Sequence, residues 1–116
     1  MKAIDVHIHV PGRDAGTNAR SEAMNAYFGA EGGRTVEHMA QMYAEQDIFG
    51  IIFGDNDWTA EVVKKYPGQF LGFVYANPHD GLKAIDEVTR GYEKLGLRGL
   101  KVHPPGQAFY PNDERF

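Results

Sequence analysis

Apolar and polar residues alternate from Ala3 to Val10, with Ile4, Val6, Ile8 and Val10 on one side and Ala3, Asp5, His7 and His9 on the other. A period of two carried by branched residues predicts a β-strand. Its second face is polar, increasingly so toward the C-terminal end. From Pro11 to Arg34 no period is sustained and five glycines intervene, which predicts a long loop with a short helix inside it at Ser21 to Phe28. Thr35 is placed to cap a helix running to about Gln46, with Val36, Met39, Ala40 and Tyr43 on one face.

The apolar run Ile48 to Phe53, interrupted by Gly50, suits a buried strand. A second helix, capped by Asp57, carries Val62, Val63 and Tyr66 and stops at Pro67-Gly68. Phe70 to Ala76 reads as a third strand. Asp80 opens a third helix with Leu82, Ile85, Val88, Tyr92 and Leu95 inward and Gly96 as its C-cap. Leu97 to Val102 is the fourth strand, ended by Pro104-Pro105.

Strands that alternate with helices imply parallel pairing. Both a doubly wound open sheet and a (β/α)₈ TIM barrel fit this order. Polarity separates them, because barrel chemistry sits at the C-terminal ends of strands and points inward, as His7 and His9 do. An open nucleotide-binding sheet also calls for a glycine-rich phosphate turn after its first strand, and Pro11-Gly12-Arg13-Asp14 is not one. The expected fold is therefore α/β, the N-terminal half of a (β/α)₈ barrel with about four β/α units. Residues 1–116 are expected to form one partial domain, truncated just where a fourth helix should begin.

Composition narrows the function. A chain of 116 residues that is 42% apolar and 12% aromatic can build a core, whereas a disordered chain would be poorer in both. A net charge of −4 without a basic cluster argues against nucleic acid. With no cysteine, any metal must be held by nitrogen and oxygen. No apolar stretch approaches the ~20 residues of a membrane span, and the N-terminus lacks the apolar run of a signal peptide. A cytoplasmic protein with a small-molecule substrate is expected, and association with a second copy is left open.

Two histidines one residue apart on a strand project from the same face, so both imidazoles of His7 and His9 reach one ion. Asp5, one step deeper, is read either as an acceptor that fixes a ligand histidine's tautomer or as the partner of a buried Lys or Arg. On the fourth strand Lys101 and His103 share the face opposite Leu100 and Val102, which points them into the barrel near its mouth. A buried lysine is costly unless paired or functional, so both are candidate catalytic residues.

The opening Ile4-Asp5-Val6-His7-Ile8-His9 resembles the D-x-H-x-H start of the amidohydrolase superfamily. Tyr66 to Phe73, Asn77-Pro78 and Gly96 to Pro104 resemble its amidohydrolase-related branch of aminocarboxymuconate semialdehyde decarboxylase, resorcylate-type decarboxylases and lactone hydrolases. The resemblance implies a (β/α)₈ barrel with His7 and His9 as metal ligands. It also implies further ligands on strands five, six and eight, which lie beyond the pattern read here. The expected activity of the full-length parent is metal-assisted hydrolysis, or non-oxidative decarboxylation, of a small carboxylated substrate. Zinc suits two imidazoles plus oxygen ligands, with manganese the alternative. The 116-residue chain alone is expected to be inactive, since a catalytic zinc site needs three protein ligands.

Other residues carry blander expectations. His38 is read as a solvated helix residue and His79 as a polar residue at a helix entry. Arg13 and Arg34 are surface charges or carboxylate binders. Trp58 either lines the barrel mouth or anchors the second helix. Rival functions are a phosphoesterase-like metal barrel and a non-catalytic metal-binding half-barrel.

Overall fold

The computed structural model describes residues 1–13 and 35–114; the helix expected at Ser21 to Phe28 and Arg34 lie outside them. The order is β1 (Ala3–His9), α1 (Val36–Gln46), β2 (Ile48–Phe53), α2 (Asn56–Lys65), β3 (Phe70–Gly72) and β4 (Val74–Tyr75). A 3₁₀ turn (Pro78–Asp80), α3 (Leu82–Glu93), β5 (Leu100–Lys101) and α4 (Pro104–Gln107) follow. Every strand pairing described is parallel: β1 with β2, β2 with β3, and β4 with β5.

The third strand expected from sequence is divided between two neighbours. β3 pairs with β2, and the Phe73 N–H still donates to Ile52 O at 2.9 Å. One residue later the Val74 N–H donates to Gly99 O at 2.7 Å, and the Arg98 N–H to Gly72 O at 2.8 Å. The chain thus hands over from one partner to the next, and its parts occupy the four strand positions in the expected sequence. The fourth strand is shorter than expected, Leu100–Lys101, and a one-turn helix begins at Pro104 where a simple stop was expected.

Helix boundaries follow local capping. The Thr35 hydroxyl accepts from the His38 N–H at 3.1 Å and starts α1 as expected. In α2 the cap is Asp55, accepting from the Trp58 N–H at 2.8 Å, two residues before the Asp57 expected. Asp57 instead falls in the first turn, where a carboxylate is favoured by the helix dipole. The third helix starts at Leu82, because Pro78–Asp80 forms a separate 3₁₀ turn ended by Gly81 at φ +57°.

The face of α3 that packs matches expectation only in part, through Val88 and Leu95. Leu82 and Ile85 are 78% and 61% exposed and Tyr92 is also exposed, while Gly91 is buried and Ala84, Val88 and Leu95 pack on Val74, Ala76 and Leu97. Gly91 marks the closest approach: a Cβ there would collide with the Val74 side chain, so the helix seats its smallest residue on the sheet, while Leu82 and Ile85 border an apolar groove with Ala76, Leu100 and Val102. A second cluster joins Ile8, Val36, Met39, Ala40, Ile52, Val62 and Phe70 between the sheet and the first two helices. Gly50 belongs to the same packing: a Cβ there would come within 2.6 Å of Ile8 Cδ1.

Strict alternation fails in β1. Ala3, Ile4 and Asp5 align with Ile48, Phe49 and Gly50, but Ile8 and His9 align with Ile52 and Phe53. One extra residue lies between Asp5 and Ile8, a β-bulge. It shifts the parity of the strand, so Asp5 joins the helix side with Ile8. The expected continuous apolar face does not form: Ile4 and Val6 are 53% and 65% exposed, and only Ile8 is buried.

A polar network ties α2 and α3 to β4. The Asn56 side chain donates to Tyr75 O and Glu87 Oε1 and accepts from the Tyr75 N–H, at 2.7–3.0 Å. Arg90 donates to both oxygens of Glu87 and both of Asp57 at 2.8–2.9 Å. The Arg90 guanidinium, and then the Asn56 amide, hold the Glu87 carboxyl below its ordinary value. A carboxyl depressed in the folded state contributes stability above its unfolded pKa and loses it as pH falls through the folded one. Thermal midpoints measured below about pH 5 should therefore fall more steeply for the wild type than for Glu87→Gln. Parallel pH profiles would show that Arg90 does not favour the charged form. Among the described residues no helix is long and apolar enough to cross a membrane.

Candidate functional site

The strands end on a common side, and their last residues build the site. His9 closes β1, Phe53 closes β2, Tyr75 closes β4 and Lys101 closes β5. A cavity of about 460 Å³ at these ends is lined by His7, His9, Phe53, Gly54, Asp55, Tyr75, Lys101 and His103. All four site residues expected from sequence are therefore brought to one place.

Phe53 organises them. It is buried opposite His9 in the register, and its ring takes His7 and His9 edge-on at centroid distances of 5.1 and 4.7 Å. The two imidazoles lie 5.4 Å apart. From the other side of the cavity the Lys101 ammonium sits 4.8 Å from the same ring, in cation–π geometry. His103 follows two residues later as the residue preceding α4.

Three imidazoles and one ammonium line this space against one carboxylate, Asp55, which is already engaged by the Trp58 N–H. Burial lowers the His9 pKa, and the charges of His7, Lys101 and His103 add to that. Both effects favour the neutral form of His9, which has a lone pair to give. Neutral imidazole nitrogens are the donors zinc prefers, so the histidine pair fits the metal expected from sequence as half of a site. Among the described residues no cluster of three or more His, Cys, Asp or Glu is placed to hold a metal ion.

Asp5 matches neither reading made from sequence. Its Oδ1 accepts from the His7 backbone N–H at 3.0 Å and its Oδ2 from the Tyr43 hydroxyl at 2.6 Å. The Tyr43 hydrogen bond, then the His7 N–H, lower the Asp5 pKa; burial and Asp5 push Tyr43 up to about 12. Trp58 anchors rather than lines: its indole N–H donates to Pro11 O at 2.8 Å, with the Arg13 guanidinium 4.3 Å from its ring centroid. Arg13 also pairs with Glu61 at 2.5 Å. His38 is exposed, as expected. His79 is bonded through Nε2 to Gln107 O at 2.7 Å, which ties the 3₁₀ turn to α4.

Gly54, Asp55 and Tyr75 line the cavity without having been singled out from sequence, and two residues with a larger part in its build also escaped the sequence reading. Phe53 ends an apolar run, and the rule that exposed His9 would have found it: it too is the last residue of its strand. Gln107 gave no signal at all, yet it is buried, donating to Ala76 O and accepting from the His103 N–H, both at 2.7 Å.

A family model described as Amidohydrolase matches residues 4–116. No curated protein and no solved structure matches the chain.

Proposed function

The chain belongs to the amidohydrolase family, and from that premise we propose a metal-dependent hydrolase of (β/α)₈ barrel type in which His7 and His9 are the first two metal ligands. The observation that carries this reading is the convergence of His7, His9, Lys101 and His103 on one cavity at the C-terminal strand ends. In a barrel that is where chemistry sits. The parallel pairing and the alternation of strands with helices support the architecture. The remaining ligands come from outside the described residues.

Held in part by His7 and His9, a zinc or manganese ion would supply Lewis-acid polarisation of a substrate oxygen. The chain's own residues do the rest. Lys101 offers a fixed positive charge for a carboxylate on a small substrate. Phe53 supplies an apolar wall of the cavity, against which the rings of His7 and His9 rest. His103 stands on the same side as Lys101 and moves the proton that the leaving group takes up. Decarboxylation is the second reading, favoured by that same pairing of a carboxylate anchor with a proton donor. There the carbon–carboxylate bond breaks, carbon dioxide leaves and His103 protonates the carbon.

Calorimetric titration with zinc chloride, then manganese chloride, tests the ligand assignment. The chain should take up one ion, with the uptake lost in His7→Ala and in His9→Ala. Binding that survives in the doubly substituted protein would remove both histidines from the metal site. Binding should also weaken below about pH 6, as protons compete for the imidazoles.

A further inference from the structure

The bulge in β1 sits directly beneath the histidine pair, and nothing in the function proposed above requires it. An unbroken strand would place Asp5, His7 and His9 on one face. The extra residue between Asp5 and Ile8 instead sends Asp5 toward α1 and leaves His7 and His9 facing the cavity. Bulges next to active sites re-aim side chains in this way.

A bulge leaves backbone groups without a ladder partner, and here Val6 and His7 have no register partner in β2. The His7 N–H is met by the Asp5 carboxylate, across two residues at 3.0 Å. The other oxygen of that carboxylate is held by the Tyr43 hydroxyl at 2.6 Å. Tyr43 is itself fixed, part-buried against Phe70 with ring centroids 6.0 Å apart. A chain of contacts therefore runs from the helix layer, through Tyr43 and Asp5, to the backbone of His7, and from there to its ring against Phe53.

We propose that Asp5 is a positioning residue: its carboxylate clamps the β1 bulge and so sets the His7 ring beside His9 and Phe53. It acts through the His7 main chain and does not touch the imidazole. His9 lies beyond the bulge, back in register with Phe53, so its placement does not depend on the clamp. The inference deepens the metal-site reading, and its metal arm rests on that reading; its geometric arm does not.

The test uses the metal-free chain first. Ring-proton nuclear Overhauser contacts report His7 against Phe53 and, as an internal reference, His9 against Phe53. Asp5→Ala should lose the His7 contact and keep the His9 one. Asp5→Asn, which retains an acceptor for the His7 N–H, should restore it. Tyr43→Phe keeps the ring in the core and removes only the hydroxyl, so it remains informative even if Asp5→Ala does not fold; it should weaken the His7 contact alone. In the metal arm, zinc affinity should fall about 10–100-fold in Asp5→Ala, as for loss of a residue that orients a ligand, and largely recover in Asp5→Asn. Retention of both contacts in Asp5→Ala and Tyr43→Phe overturns the clamp. Loss of both together overturns it too, since the effect is then general loosening. A wild type that shows both contacts but takes up no zinc overturns the metal reading and leaves the clamp to the geometric arm.

Discussion

Replacing Ile52 with alanine is expected to cost about 3 kcal/mol, within the ~2–5 kcal/mol that truncation of a buried isoleucine brings. Ile52 has no exposed surface and sits in β2, flanked by β1 on one side and β3 on the other. Its side chain packs in the cluster of Ile8, Val62 and Phe70. Those neighbours are poorly placed to collapse into the space, because the strands that carry them are held in ladders and Gly50 already lets Ile8 and Phe70 close over the sheet. Truncation thus loses the transfer free energy and also leaves a cavity. Domains of this size are stable by only about 5–15 kcal/mol, so the change takes a large share of the total. Urea denaturation should show a large drop in midpoint for Ile52→Ala and a small one for Ile52→Val, about 0.5–1.5 kcal/mol. Equal, small losses in both would mean that the cluster repacks freely. The effect reaches the site because Phe53, the ring on which His7, His9 and Lys101 all rest, is the next residue in the same strand.

The alternation of parallel strands with helices was readable because it is written in local terms. Branched residues at period two, Thr35 ahead of a helical stripe, and Pro67-Gly68 after one each specify structure over a few residues. That His7 and His9 would share a cavity was legible for the same reason, as was its sharing with Lys101 and His103. What escaped depends on packing between elements. Nothing near Asp5 in sequence announces a bulge, or the bonds that accompany it to the His7 N–H and to Tyr43, thirty-eight residues away. Gly91 meeting Val74 is invisible to a pattern of large apolar residues, of which Val88 and Leu95 pack on the core and Leu82, Ile85 and Tyr92 stay exposed. Asp57 and Asp55 are both acceptable caps on propensity; Asp55 takes the cap, and Asp57 is bonded to Arg90 of α3, a contact the local sequence does not show. Strand length was overestimated where β3, β4 and β5 exchange partners, since apolar character continues through residues that leave the ladder.

Gln107 is the case where the missing signal hides the largest polar effect. Its amide joins two strand ends: Nε2–H donates to Ala76 O just after β4, and Oε1 accepts from the His103 N–H just after β5. It is nearly inaccessible to solvent. Gln107→Ala leaves a buried carbonyl without a donor and costs about 1–3 kcal/mol for that group; the His103 N–H lies nearer solvent and adds less. The total expected is about 2–3 kcal/mol, accompanied by loosening of His103 and Lys101 at the cavity. Gln107→Glu separates the two bonds. Its carboxylate still accepts from the His103 N–H but turns a second oxygen toward Ala76 O, so the charged form is disfavoured and the folded-state pKa of the new carboxyl is raised. A raised pKa contributes stability below the unfolded value of about 4.3 and loses it as pH rises through the folded value. The melting deficit of Gln107→Glu against the wild type should therefore be small near pH 4 and grow toward pH 7, while that of Gln107→Ala stays level. A deficit for Gln107→Glu that does not change with pH would mean that water, and not the Ala76 carbonyl, faces the amide nitrogen, and Gln107 would then not bind the two strand ends together.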